Sequence, residues 1–152
     1  MMLRNSIDHG MESTSDRRKA RKSEEGLIRT RFEPMDGALE MRYRDDGSGL
    51  NLAKIKRVGM QRGLIQADEN DPMTTANLIY QTGFSTAQSV TEISGRGVGM
   101  DAVRVLIENE GGEFSLRFLE SFSSFEQPIP FELVIRIHGS AYAKKNEMEN
   151  AA

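Results

Sequence analysis

The stretch Ser94 to Asp101 reads SGRGVGMD, in which Gly95, Gly97 and Gly99 alternate with Arg96, Val98 and Met100. With side chains missing at every second position, backbone N–H groups can reach a ligand directly. An apolar helical pattern begins near Val98, so the positive end of a helix dipole faces the same point. Phosphate is the natural ligand for such a loop, with Arg96 either adding charge or facing solvent. The spacing is not a Walker motif, which needs a Lys-Ser or Lys-Thr pair after its glycines. It is not a dinucleotide fingerprint either, since residues 91–94 make no apolar strand. A glycine turn ahead of a helix is the other reading, and the motif alone leaves both open.

Two further groups can do chemistry. DDGSG, Asp45 to Gly49, follows an alternating segment. A carboxylate fixed at a strand end can accept a hydrogen bond from an exocyclic amine such as that of adenine. Gly47 and Gly49 would let the chain pass close beneath the ring; a simple turn is the alternative. NSIDHG, Asn5 to Gly10, is the third group. Asn5 offers an amide oxygen of the kind Mg²⁺ accepts, although Mg²⁺ keeps several waters. On a helix, Asn5, Asp8 and His9 recur at i, i+3, i+4 and share a polar face. Leu3, Ile7 and Met11 mark an apolar one. The alternative for this group is a polar helix face that ends at Gly10.

The elements that would position these groups follow from periodicity. Residues 1–9 read as helix, and 12–25 as a polar loop with at most a short helical turn. Ile28, Thr30 and Phe32 alternate with arginines, Met35-Asp36-Gly37 signals a turn, and Leu39, Met41 and Tyr43 alternate again, which predicts a hairpin. Residues 51–62 fit a helix capped by Asn51 and ended by Gly63, and 74–81 a shorter one. Residues 98–110 fit a helix with Met100, Val103, Leu106 and Ile107 as its stripe, ended by Gly111-Gly112. Phe114, Leu116 and Phe118, then Phe131, Leu133, Ile135 and Ile137, give two more strands joined by a long tip. Strands that alternate in polarity bury one sheet face and wet the other. Helices then cover one face only, which makes a two-layer α+β sandwich.

The 152 residues suit one domain, expected over residues 1–138, with 139–152 as a polar tail. A net charge of -3 gives no general bias toward nucleic acid. No apolar run approaches the roughly 20 residues of a membrane helix. With no cysteine, disulfides and thiolate metal sites are excluded, and a cytoplasmic location is expected. Arg17, Arg18, Lys19, Arg21 and Lys22 form a basic cluster between acidic neighbours, which reads as a solvated loop rather than a nucleic-acid patch. Arg29, Arg31, Arg42, Arg44, Arg117 and Arg136 are expected on the wet sheet face, in cross-strand pairs with Glu40 and Glu132.

A metal-ligand helix, an adenine-acceptor loop and a glycine-rich phosphate loop are together the parts of an ATP site. Their order, carried by LRNSIDHGME, DDGSGLNLAKI, RGLI, GFST and TEISGRGVGMDAV, resembles the GHKL ATPases. That family comprises the nucleotide-binding domains of histidine kinases, gyrase-type topoisomerases, MutL and Hsp90 chaperones. Within it the chain looks most like the chemotaxis histidine kinases of the CheA type, over nearly its whole length.

The resemblance implies site residues. Asn5 matches the Mg²⁺-binding asparagine of the N box, and Asp8 and His9 match its neighbouring polar positions, with Asn5 and His9 as the catalytic pair. Asp45 matches the adenine-binding aspartate, with Gly47 and Gly49 in the same box. Phe84, Ser85 and Thr86 belong to the F-box match. Gly95, Arg96, Gly97, Val98, Gly99 and Met100 match the phosphate-wrapping box, and residues 64–94 the mobile lid. ATP and Mg²⁺ are the implied ligands, and the implied partner is a histidine-containing phosphoacceptor domain or protein, phosphorylated in trans.

Departures from the family pattern define the alternatives. Met1 stands where a histidine commonly precedes Asn5, and residues 121–130 hold no glycine where a last glycine box is expected. These favour a nucleotide-binding or interaction module without kinase activity. A standalone serine kinase of the same fold is a further alternative. Relative to the family the domain starts late, so an N-terminally truncated edge is expected to expose apolar surface and favour a homodimer.

Overall fold

The computed structural model describes residues 2–84 and 100–139. The sheet begins with β1 (Ile28–Met35) and β2 (Ala38–Asp45), an antiparallel hairpin that pairs Phe32 with Met41 and Thr30 with Tyr43. β3 (Glu113–Phe118) and β4 (Phe131–His138) complete it in the order β1-β2-β4-β3, every neighbour antiparallel. β4 therefore runs between the hairpin and β3. It sets Ile135 beside both Met41 and Phe114, and Leu133 beside both Tyr43 and Leu116.

That inner face is the floor of the core. Tyr43, Phe114, Leu116, Leu133 and Ile135 are buried there. Helices lie over it on one side, as the alternating strands require. α3 (Leu52–Gln61) buries Leu52 and Ile55, and its Asn51 cap accepts the Lys54 N–H at 2.8 Å. α4 (Pro72–Asn77) starts at an Asp71 cap that accepts the Thr74 N–H at 2.7 Å, with proline in its first turn. It runs into a 3₁₀ turn, Leu78–Tyr80, and buries Ala76, Leu78 and Tyr80. The Tyr80 ring meets Phe114 edge-on at 5.3 Å. The stretch of the expected lid up to Phe84 is thus partly helical and anchored in the core.

α5 (Met100–Asn109) packs Met100, Val103 and Ile107 against the core. Leu106, expected in that stripe, is 62% exposed. The helix turns 100° per residue, and the side that faces the sheet is set by Val103 and Ile107. The loop from β3 to β4 folds back onto α3, where the Ala53 N–H donates to the Phe125 carbonyl and Leu50 bridges to Ile129.

The outer face is charged but not uniformly wet. Glu40 is 2% exposed because Arg42 and Arg136 lie across it, their Nε atoms 2.5 and 2.8 Å from its two oxygens. Arg117 pairs with Glu132 and Arg42 with Glu33. The cross-strand pairing with Glu40 and Glu132 is therefore present. The Arg stems also cover the sheet, which is why Glu132 and Val134 are buried on the side facing away from the helices. Hydrogen bonds from Arg136 and then Arg42 hold the Glu40 carboxyl below its ordinary range.

Leu52→Ala is expected to lower stability by about 2–5 kcal/mol, because the side chain is fully enclosed and its cavity cannot collapse freely. Urea denaturation checks this. A loss well under 1 kcal/mol would mean that α3 does not close the core as described.

Candidate functional site

β2 ends at Asp45, where its alternation brings the side chain to the inner, helix-bearing side with Tyr43. The chain then turns through Asp46-Gly47-Ser48-Gly49. Asp45 Oδ1 accepts the Gly47 N–H at 3.0 Å, and Oδ2 accepts the Ser6 hydroxyl at 2.5 Å. Ser6 is buried and itself accepts the Tyr43 hydroxyl at 3.0 Å. Tyr43, Ser6 and Asp45 so form one relay from the core to the carboxylate. Among the described residues, each carboxylate oxygen accepts one hydrogen bond and keeps a second lone pair for an incoming donor.

The turn is locked to the N-terminal segment through Gly10. Its carbonyl accepts the Ser48 N–H at 2.9 Å. A Cβ on Gly47 would fall 2.2 Å from that oxygen, so only glycine fits. Gly49 adopts φ +75°, and a Cβ there would lie 2.7 Å from the Ile129 carbonyl. Both glycines thus permit close contacts between chain segments.

The N-terminal segment is not one regular α-helix. α1 (Met2–Asn5) passes into a π-helical turn, Ser6–Gly10, closed by Met11 N–H donating to Ser6 O at 2.8 Å. The segment is thus wider at Ser6–Gly10 than the regular helix expected of residues 1–9. Asn5 is half-buried and, among the described residues, its amide makes no hydrogen bond. Asp8 is exposed and pairs with Arg4 at 3.2 Å; His9 is exposed. Among the described residues no cluster of three acidic, histidine or cysteine side chains could hold a metal. Asn5 fits a cation that takes one protein oxygen and fills its sphere with phosphate and water.

The basic cluster differs from the solvated loop expected of it. α2 (Thr14–Lys19) carries Arg17, which is 1% exposed. Its guanidinium bonds Asp46 Oδ2 at 2.8 Å, Asp46 Oδ1 and Glu12 Oε2 at 3.2 Å, and the carbonyls of Ser23 and Glu25 at 2.6 and 3.0 Å. Lys22 Nζ bonds Glu12 Oε1 at 2.6 Å and the carbonyls of Asp46 and Gly47 at 3.0 and 2.8 Å. Burial opposes the charged form of Asp46, but Arg17 and the Leu27 N–H outweigh it and hold the carboxyl below its ordinary value. Glu12 is likewise held down against burial, by Lys22 above all. Arg18 and Lys19 do face solvent, paired with Glu24 and Asp16.

Phe84 is half-buried under Arg62, whose guanidinium carbon lies 5.4 Å from the ring centre. Met100 is half-buried at the start of α5. Ser85, Thr86, Gly95, Arg96, Gly97, Val98 and Gly99 lie outside the described residues. A cleft of about 370 Å³ between α3 and Phe125 contains none of the candidate residues. Sequence reading missed Ser6, Tyr43, Asp46 and Arg17. Ser6 lies beside Asn5 and Asp46 beside Asp45, but adjacency was their only signal, and Arg17 had none.

A four-stranded antiparallel sheet with helices on one face defines a two-layer α+β domain, with a carboxylate tethered at a strand end beneath the N-terminal segment. The family described as histidine kinase-, DNA gyrase B- and HSP90-like ATPase matches residues 1–138, and the chain belongs to it. It is therefore a GHKL ATPase domain. It is 37% identical over 136 residues to the chemotaxis protein CheA of Rhizobium meliloti (strain 1021), covering 88% of this chain and 18% of that protein. With CheA of Klebsiella aerogenes the identity is 41% over 115 residues, 76% of this chain and 18% of the relative. With CheA of Bacillus subtilis (strain 168) it is 36% over 138 residues, 88% and 20%. The chain thus spans about a fifth of the length of these relatives. Among the described residues, no helix is long and apolar enough to cross a membrane.

The lowered carboxyls set an acid limit. Asp46 and Glu12 titrate below their ordinary values of 3.8 and 4.5. The stabilisation they give is complete above those values and is lost as pH falls through the lower folded ones. The urea midpoint is expected to hold from about pH 7 to 5 and to drop below about pH 4. A midpoint that rises on acidification would contradict the assigned ion pairs.

Proposed function

We propose that the chain binds ATP with Mg²⁺ and, in the manner of the CheA relatives, presents the γ-phosphate to a histidine on a partner domain in trans, in two-component signalling. The observation that carries this reading is the Asp45 carboxylate, fixed by the Ser6 hydroxyl and the Gly47 N–H with lone pairs to spare. Those lone pairs suit the exocyclic amine of adenine. Guanine offers a carbonyl oxygen at that position, which a carboxylate repels.

Asn5 is the residue that would hold Mg²⁺, which supplies charge neutralisation at the phosphates. Gly95, Gly97 and Gly99 offer backbone N–H groups to those phosphates, and Arg96 adds charge. His9, Asp8, Phe84, Ser85, Thr86, Val98 and Met100 complete the proposed site, with Asn5 and His9 nearest the chemistry. In the transfer, a neutral imidazole nitrogen of the partner attacks the γ-phosphorus. The nitrogen–phosphorus bond forms, the bond to the bridging oxygen breaks, and ADP leaves. The chain then acts by positioning and by electrostatics.

One observation favours a second reading, a nucleotide-binding module without transfer. The β3–β4 loop holds no glycine and is tied to Ala53 of α3 through Phe125 and to Leu50, ahead of α3, through Ile129. Radiolabelled phosphate on a partner histidine decides for the first reading; labelled serine would make the chain a serine kinase. Pairing of two copies through the β1 edge, where Phe32 is 61% exposed, is the proposed route to a homodimer.

Calorimetric titration tests the site. Wild type is expected to prefer ATP over GTP and to need Mg²⁺ for full affinity. Asp45→Ala should weaken ATP about 10- to 100-fold, the worth of a hydrogen bond to a charged group. Arg18→Ala, at an exposed pair, should change it little. Asn5→Ala should mainly abolish the Mg²⁺ dependence. Equal losses for Asp45→Ala and Arg18→Ala would remove the adenine role, and Mg²⁺-independent binding by wild type would remove that of Asn5.

A further inference from the structure

Arg17 is enclosed, charged and unused by the chemistry above. Its fork closes on Asp46 through both carboxylate oxygens and on Glu12, while Lys22 takes the Asp46 and Gly47 carbonyls. Asp46 Oδ1 also accepts the Leu27 N–H at 2.9 Å, which ties the same side chain to the residue preceding β1. Successive residues at a strand end point to opposite sides. Asp46 therefore points to the α2 loop and Asp45 to the N-terminal segment. A grip on Asp46 from one side fixes the rotation of the chain and so the aim of Asp45 on the other.

We propose that Arg17 is a positioning residue for base recognition: through Asp46 and the Gly47 carbonyl held by Lys22, it aims the Asp45 carboxylate at the exocyclic amine and so sets the preference for adenine over guanine nucleotides. The proposal rests on the ATP reading of Asp45 given above. A bidentate fork constrains both position and plane, and a single ammonium does not. Arg17→Lys keeps the charge and loses the fork. Asp46→Asn keeps the shape and the Leu27 contact and loses the charge.

The full chain and its Arg17→Lys, Asp46→Asn, Asp45→Ala and Arg18→Ala variants are titrated with ATP, GTP and inorganic tripolyphosphate, and their melting temperatures are measured. In Arg17→Lys and Asp46→Asn the ratio of ATP to GTP affinity is expected to fall about tenfold, with tripolyphosphate affinity unchanged. Arg18→Ala should keep the wild-type ratio. If both clamp variants melt lower yet keep the ratio, Arg17 only supports the fold and the proposal is overturned. If either variant fails to fold, the other decides by the same ratio. If Arg17→Lys and Asp46→Asn both fail to fold, Arg17 is a fold determinant and the proposal is likewise overturned. Loss of the ratio in Asp45→Ala with retention in the clamp variants overturns the clamp alone. Retention in Asp45→Ala, or a wild type that binds neither nucleotide, overturns the adenine reading and the clamp with it.

Discussion

The Gly10 carbonyl is where the N-terminal segment and the sheet become one body. It takes the Ser48 N–H, and it sits where any side chain at Gly47 would have to be. This contact brings Ser6 over Asp45, and the Ser6 hydroxyl then completes the line from Tyr43 in the core to the carboxylate. A residue larger than glycine at position 47 would part the two segments. The relay would open and Asp45 would be left with only its Gly47 N–H. The site thus depends on a backbone approach more than on any single side chain.

The sheet beneath is built in two chemically different ways. Its inner face is ordinary apolar packing around Leu52, Leu133 and Ile135. Its outer face is shielded by arginine stems, with Glu40 clasped by Arg42 and Arg136. Charges buried in that manner give little net stability, because desolvation consumes much of the Coulomb attraction. They do fix register: a slip of one residue would set Leu39 or Met41 against Arg136 in place of Glu40, and a slip of two would set Arg42 there. Register matters here because it decides at which residue β2 ends and therefore where Asp45 points.

Much of this was legible in the sequence. The four strands announce themselves by alternation, because apolar Leu39, Met41 and Tyr43 take turns with charged Glu40, Arg42 and Arg44. α3 announces itself by its cap. The end of β2 at Asp45 was legible because a carboxylate followed by spaced glycines is an unusual strand ending. The π turn at Ser6–Gly10 was not, since an i→i+5 bond leaves no periodic trace in five residues. Leu106 was misplaced in the stripe because periodicity marks an apolar side of a helix but not which part of it meets the sheet. Arg17 escaped because a run of arginines and lysines looks alike from end to end. Only the fold of residues 12–26 decides which member turns inward.

The choice of a buried ion pair under the Asp45 turn is itself informative. An apolar side chain at position 17 could fill the same space and avoid the cost of desolvating a guanidinium. It would, however, hold Asp46 only by shape, and dispersion contacts are non-directional. The guanidinium instead meets both Asp46 carboxylate oxygens and four further acceptors, the Asp46 carbonyl among them, which favours one orientation of the turn over others. On the adenine reading proposed for Asp45, a carboxylate that tells an amine from a carbonyl at hydrogen-bonding distance needs that directional constraint. A turn needed only for chain reversal would not.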